Sequence, residues 1–337
     1  MRSRIWIVAG LWMVCALLIT VALGVGRQVG REALAFASLQ DANIDIFVAD
    51  VSTGMIHRLT AARAFETLPA WSDQTGRVAY VWSEDAERTL TIRDMTQGSF
   101  SRLENYTLTE VPLTWSPDGT HLAFTSRHDG AEDVYVLEVA TGHVHNLTDD
   151  RARDTRPAWS PDGTRLAFET RRDGNFEIYI IDVSTGETTN LSRDPAKDSQ
   201  PVWSPDGQAL AFTSLRDGNE EIYVVDVRSG AQVNMSRYEG VDTSPVWSPD
   251  GQRIAYISWR DKGRSIAVRS VAGDDSQARE IPALGVVSLT WTADGSQIVL
   301  VEKDETHAGI RLVDVASGAT RNLYDGFVIN AYLGWWR

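Results

Sequence analysis

Seven tryptophans, Trp71, Trp115, Trp159, Trp203, Trp247, Trp291 and Trp335, recur at a constant interval of 44 residues. A fixed interval of this length signals an array of one supersecondary unit, because each copy must bury its apolar face against the next. The residues after the tryptophan repeat as well. Ser-Pro-Asp-Gly follows Trp115, Trp159, Trp203 and Trp247, and Thr-Ala-Asp-Gly follows Trp291. Ser at the first place, Pro fixing φ at the second and Gly at the last suit a type I turn, so the motif reads as a hairpin connection. Behind it come short apolar runs, Leu122-Ala-Phe124, Leu166-Ala-Phe168, Leu210-Ala-Phe212 and Ile254-Ala-Tyr256, and then second turns at Asp129-Gly130, Asp173-Gly174 and Asp217-Gly218. Val134-Tyr-Val-Leu137, Ile178-Tyr-Ile-Ile181 and Ile222-Tyr-Val-Val225 have the β-branched and aromatic composition of strands. A turn at Gly142, Gly186 or Gly230 and a polar outer strand such as Asn146-Leu-Thr148 end the unit.

Four strands and three turns within 44 residues leave no stretch for the helix pairs of α-solenoids of similar period. The middle strands are continuously apolar, not alternating, as strands are when both faces are covered by neighbouring sheets. Four-stranded sheets stacked face to face around an axis make a β-propeller. Leu34-Ala-Phe36 and Asp45-Ile-Phe-Val48 match the second and third strands of a repeat, whereas the only matching first strand without a sequel is that around Trp335. The expectation is an all-β, seven-bladed β-propeller of four-stranded antiparallel blades over residues 32–337, its ring closed by strands from the N- and C-terminal segments.

The pattern Pro-x-Trp-Ser-Pro-Asp-Gly, Leu-Ala-Phe, Asp-Gly-Asn and Ile-Tyr-x-x-Asp-Val resembles the WD40-like (PD40) repeat of the TolB family of β-propellers, most completely from Trp115 to Val227. The family is named after a protein with an α/β domain ahead of six blades, whereas seven blades are expected here directly after an apolar segment. What the resemblance implies is therefore the module's own task, binding proteins or peptides outside the cytoplasm. Relatives of the module also stand beside serine peptidase domains, but no Gly-x-Ser-x-Gly occurs. Propeller lyases that use a metal in the central pocket are similar at the level of fold alone.

Arg2 and Arg4 precede an uncharged apolar run over residues 5–26, and Arg27 and Arg31 follow it. A helix of that length spans about 33 Å at 1.5 Å per residue, enough for the hydrocarbon core. The segment reads as a signal anchor, with residues 1–4 as a cytoplasmic tail, 27–31 as a linker and the propeller outside the cytoplasm. The alternative is a signal peptide cleaved at the small residues near Ala22-Leu-Gly24, giving a periplasmic or secreted domain. The chain holds 32 Lys and Arg against 46 Asp and Glu, a net charge of -14. With the segment's four arginines set aside the remainder carries about -18, which argues against nucleic acid as a partner.

Five residues before each tryptophan stand Glu66, Glu110, Asp154, Asp198 and Asp242, with Val286 and Asn330 in the other two copies. First strands line the channel of a propeller, so these carboxylates are expected to ring one mouth. Such a ring would favour a cationic peptide segment, an amino terminus or Ca²⁺; alternatively each carboxylate caps its own loop. The tryptophans read as packing elements between blades. His143 and His145, one residue apart on an outer strand, lack the further ligands a metal site needs. The function expected is non-catalytic, a membrane-anchored module for an extracytoplasmic protein or peptide, with no cofactor. The alternative is a metal-dependent enzyme or glycan-binding protein using the central channel.

Overall fold

The computed structural model describes residues 33–330, apart from 73, 85–86, 96, 110–111, 129, 238, 262, 274–277, 304–307 and 327. The apolar segment 5–26, the linker, Glu110 and Trp335 lie outside the described residues. Among those described, no helix is long and apolar enough to cross a membrane.

Each Ser-Pro-Asp-Gly forms a turn for a reason visible in its side chains. The Gly119 N–H donates to the Ser116 carbonyl at 2.8 Å, while Gly119 takes the left-handed φ of 69° that glycine tolerates. The Ser116 hydroxyl donates to Asp118 Oδ1 at 2.6 Å and accepts from the His121 N–H at 2.9 Å, bolting the turn to the next strand. In the altered copy the Thr292 hydroxyl donates to Asp294 Oδ1 at 2.6 Å and accepts from the Gln297 N–H at 2.9 Å, so threonine preserves the device.

These turns and their partners fold the chain into seven four-stranded antiparallel sheets. Blade four shows the pattern: Asp154–Trp159, Arg165–Thr170, Glu177–Asp182 and Thr188–Asn190 lie in sequence order. Its second and third strands pair Leu166 with Ile181 and Phe168 with Tyr179. First strands of neighbouring blades touch one another, which places them around the centre of the ring. Buried clusters form between blades, as where Leu166 and Phe168 of blade four meet Val134 and Val136 of blade three. Each sheet is thus covered on both faces, which is why its middle strands carry no polar alternation.

Closure joins the two ends of the described chain. Blade one consists of Val328–Asn330 beside Ala33–Gln40, Asn43–Asp50 and Ile56–Arg58, with Ala37 opposite Asn330 and Ser38 opposite Val328. The described part of the closing strand thus precedes Trp335. Across the seam to blade seven the Phe36 and Tyr324 rings lie 4.6 Å apart, and the Ser38 and Tyr324 hydroxyls are 3.0 Å apart. A chain ending at residue 327 should unfold at a lower temperature and in a broader transition than the whole chain, followed by circular dichroism. An unchanged transition would show that the ring does not depend on this strand.

Candidate functional site

The residue five before the tryptophan opens the inner strand in blades four, five and seven and stands second in it in blades two and six. There Asp154, Asp198 and Asp242 are each 0% exposed. A buried carboxylate is tolerated only with a partner, and each has an arginine eighteen residues on, ending the second strand in blade six and standing two residues past it in blades four and five. Arg172 Nη2 lies 3.2 Å from Asp154 Oδ2; Arg216 Nη2 reaches both oxygens of Asp198 at 3.1 and 3.3 Å; Arg260 meets Asp242 with two parallel bonds of 2.9 Å. In blades four and five the guanidinium also lies over the third-strand tyrosine, 4.8 Å from the centre of Tyr179 and 4.4 Å from that of Tyr223. Tyr179 donates its hydroxyl to Asp173 at 2.5 Å, as Tyr223 does to Asp217, and Asn190 and Asn234 of the outer strands donate to the same aspartates. Burial and the adjoining carboxylate push both phenols up to about 12. One polar chain therefore crosses the blade from inner to outer strand.

Of the five expected mouth carboxylates, the structure gives Asp154, Asp198 and Asp242 arginine partners. The three aspartates are withdrawn from solvent and matched by arginine, so the mouth carries no concentrated negative field from them. Among the described residues no three His, Cys, Asp or Glu side chains gather as a metal site. The partner seen in the structure is an arginine side chain that the acidic column alone does not reveal. Arg172, Arg216 and Arg260 share the 44-residue spacing, so the signal was present. Burial still outweighs Arg172 at Asp154, whose carboxyl rises to about 6.

Glu66 is the exception. It is 2% exposed, its Oε2 has no hydrogen-bond partner, and Glu84 stands where blades four to six have arginine. Burial drives its carboxyl to about 7, with Thr60 opposing and Asp45 adding to the rise.

The inner strands bulge two residues beyond each acid, where Leu68, Arg156, Gln200 and Ser244 adopt φ of 48°, 54°, 59° and 58°. A side chain in this region costs on the order of 1 kcal/mol, and bonds between blades hold it there. The Gln200 N–H donates to Glu169 Oε1 at 2.8 Å, and Gln200 Oε1 accepts from the Ser244 N–H at 2.9 Å. Arg156 lies 3.3 Å from Glu169, whose carboxyl is raised by burial and held back by that arginine.

One residue outward from the buried pairs, the side chains reach solvent. These are Arg127, Arg153, Arg171 and Lys197 on blades three to five, and Leu215, Val241 and Trp259 on blades five and six. Register places them at one end of the inner two strands: Val241 pairs with Trp259, the Leu215 N–H bonds the Lys197 carbonyl, and the Arg171 N–H bonds that of Arg153. Their identities change from blade to blade, so no periodic signal could have marked them.

Two stability measurements test this account. Arg216→Met leaves Asp198 buried without its cation and should cost about 3–5 kcal/mol by denaturant unfolding, much of it recovered when Asp198→Asn is added. A cost below 1 kcal/mol would mean the pair is solvated. Glu66 has a folded-state pKa above its unfolded value, so the folded state binds its proton more tightly. Its contribution is present below pH 4.5 and is lost as pH rises toward 7, by about 3 kcal/mol. Glu66→Gln should remove that share of the decline; an identical pH profile for parent and variant would contradict it.

The sequence matches the PD40 family, the TolB beta propeller domain, over residues 67–202 and 177–331. No curated protein matches the sequence. Among solved structures the chain is similar to TolB from Acinetobacter baumannii at 22% identity and a TM-score of 0.56, covering 72% of this chain and 62% of that one. It thus spans about three-fifths of that TolB chain. It is also similar to an oligogalacturonate lyase in complex with manganese, at 14% identity and a TM-score of 0.66, covering 88% of this chain and 86% of that one. A third likeness is to a prolyl endopeptidase, at 14% identity and a TM-score of 0.68, covering 88% of this chain but 50% of the other. At such identities the structural likenesses speak for the fold alone. The family match, running from residue 67 to 331 across nearly all of the described propeller, shows that this chain belongs to the TolB β-propeller domain family.

Proposed function

We propose that this propeller is a non-catalytic protein- or peptide-interaction module, held outside the cytoplasm by the apolar segment 5–26, which engages its partner at the channel mouth framed by the arginine–aspartate pairs. The observation that carries this reading is the gathering of exposed apolar side chains there. Leu215, Val241, Trp259 and Leu284 are 36%, 37%, 52% and 72% exposed, while the matching apolar positions deeper in the blades are buried. Of these, Val241 and Trp259 are paired neighbours, and exposed apolar side chains grouped on a surface commonly mark an interface. The buried pairs beneath it hold the strands rigid, so that a partner need not order them on binding.

The likeness to the manganese-bound lyase, which covers most of both chains, keeps a second reading in view, a metal-dependent enzyme or glycan-binding protein using the channel. That reading requires a tightly bound divalent ion in the purified protein, so metal analysis separates the two.

The proposal is tested by cross-linked capture from native membranes with the full chain, comparing the parent with Trp259→Ser and with Phe100→Ser on the outer strand of blade two. Capture should fall at least fivefold with Trp259→Ser and stay unchanged with Phe100→Ser, in line with the loss of about 1 kcal/mol or more when an interface aromatic is removed. Equal capture by all three would move the contact away from the mouth. Protease added outside intact cells should digest residues 32–337; protection of that stretch would overturn the placement outside the cytoplasm.

A further inference from the structure

The mouth changes character around its circumference, and this bears on what kind of peptide it takes; the inference rests on the docking reading above. On one side stand the four exposed cations Arg127, Arg153, Arg171 and Lys197. Arg127 and Arg153 both hold the buried carboxylate of Glu132, so part of their charge is balanced. Lys197 acts, with Arg156 and Arg153, on the buried Glu169 carboxylate, while Arg171 stands over the Phe176 ring. Arg171 and Arg153 lie 5.1 and 5.7 Å from the centre of the Phe176 ring, which fixes both guanidinium groups at the rim. On the other side stand Leu215, Val241, Trp259 and Leu284, with Lys303 at the corresponding position of blade seven, where its N–H bonds the Gly285 carbonyl. Arg264 lies 4.9 Å from the centre of the Trp259 ring, bracing it, and donates to the Val286 carbonyl at 2.9 Å.

This cationic arc is a local exception on a chain of net charge -14. A cationic ligand would be attracted by most of the surface and opposed at the mouth; an anionic one is opposed elsewhere and matched here. From this charge complementarity, and from the apolar arc beside it, we infer that the mouth takes an extended acidic peptide segment, its carboxylates on the Arg171–Lys197 side and a neighbouring large apolar side chain against Trp259. An arginine fork is suited to carboxylate, and an exposed aromatic to an apolar side chain. An acidic sugar chain would meet the cations but would desolvate Leu215, Val241 and Leu284 against hydroxyl groups.

The test uses the full chain in detergent and fluorescence polarisation with labelled hexapeptides. The probes are Glu-Asp-Glu-Trp-Leu-Leu, a counterpart with lysine at the acidic places, a counterpart with serine at the apolar places, and trigalacturonate. The acidic apolar peptide should bind and the lysine counterpart should not. Arg171→Glu with Lys197→Glu should weaken binding at least tenfold, as should Trp259→Ser, with each variant's unfolding temperature as its folding control. Should the double reversal fail to fold, Arg171→Gln and Lys197→Gln read in the same direction. Tighter binding of the lysine peptide, or indifference to the charge reversal, overturns the inference while leaving peptide docking in place. Binding of trigalacturonate that depends on Arg171 but not on Trp259 replaces the acidic peptide with an anionic glycan. Failure of every peptide of either sign brings down the docking reading itself, and this inference with it.

Discussion

From blade two to blade seven, neighbouring blades are joined by one hydrogen bond repeated five times. The indole N–H of Trp115 donates to the Ala70 carbonyl at 2.9 Å, that of Trp159 to Thr114 at 3.2 Å, Trp203 to Ala158 at 3.0 Å, Trp247 to Val202 at 3.1 Å and Trp291 to Val246 at 3.2 Å. Each acceptor is the residue just before the tryptophan of the preceding blade. The side chain is nearly buried, so its polar atom must find a partner, and the repeat supplies the same carbonyl each time. The bond therefore fixes how far each inner strand stands from the next. Where it recurs with the same geometry, the sheets take equal steps about the axis, and the turns stack in turn. The proline of each Ser-Pro-Asp-Gly lies against the glycine of the following copy, as Pro117 does beside Gly163.

That regularity settles where charge can sit. In blades four to six the start of the inner strand comes to the same crowded level, where the Asp154, Asp198 and Asp242 N–H groups donate to the Glu132, Phe176 and Glu220 carbonyls of the preceding blade. A carboxylate at that level loses its water and must be met by a cation on its own sheet. Arginine at or just past the end of the second strand is within reach because the two strands pair there, Asp242 opposite Ser258 two residues before Arg260. Replacing such pairs by apolar residues of like shape can be as stable. What the pairs add is direction, since a two-pronged bond holds the strand ends in one register.

Most of this architecture was legible in the sequence because the same packing problem is solved seven times. The period, the turn chemistry, the strand count and the pairing of the two chain ends all leave a 44-residue trace. The arginine partners leave one too, and were missed because the acidic column was read alone; beside Arg172, Arg216 and Arg260 it would have read as a set of pairs. Glu66 needed the structure, since only burial reveals that a carboxylate without its arginine is costly. The rim was illegible for the opposite reason. Position 171 is arginine, position 215 leucine and position 259 tryptophan, and a column that varies looks like a surface without instruction.

Variation at that level is what a recognition surface on a symmetric scaffold requires. Seven identical rims would offer a partner seven equivalent poses and no way to choose between them. An arc of cations over blades three to five, passing into an apolar arc over blades five to seven, gives the mouth a single polarity and a bound segment a single direction. The surrounding negative charge sharpens the choice. At physiological ionic strength fields decay over about 8 Å, so an acidic segment gains little steering from afar and is held only once its carboxylates reach the arginines. Affinity for such a segment then depends on contact at both arcs together, and a ligand that satisfies one arc alone gains only part of it.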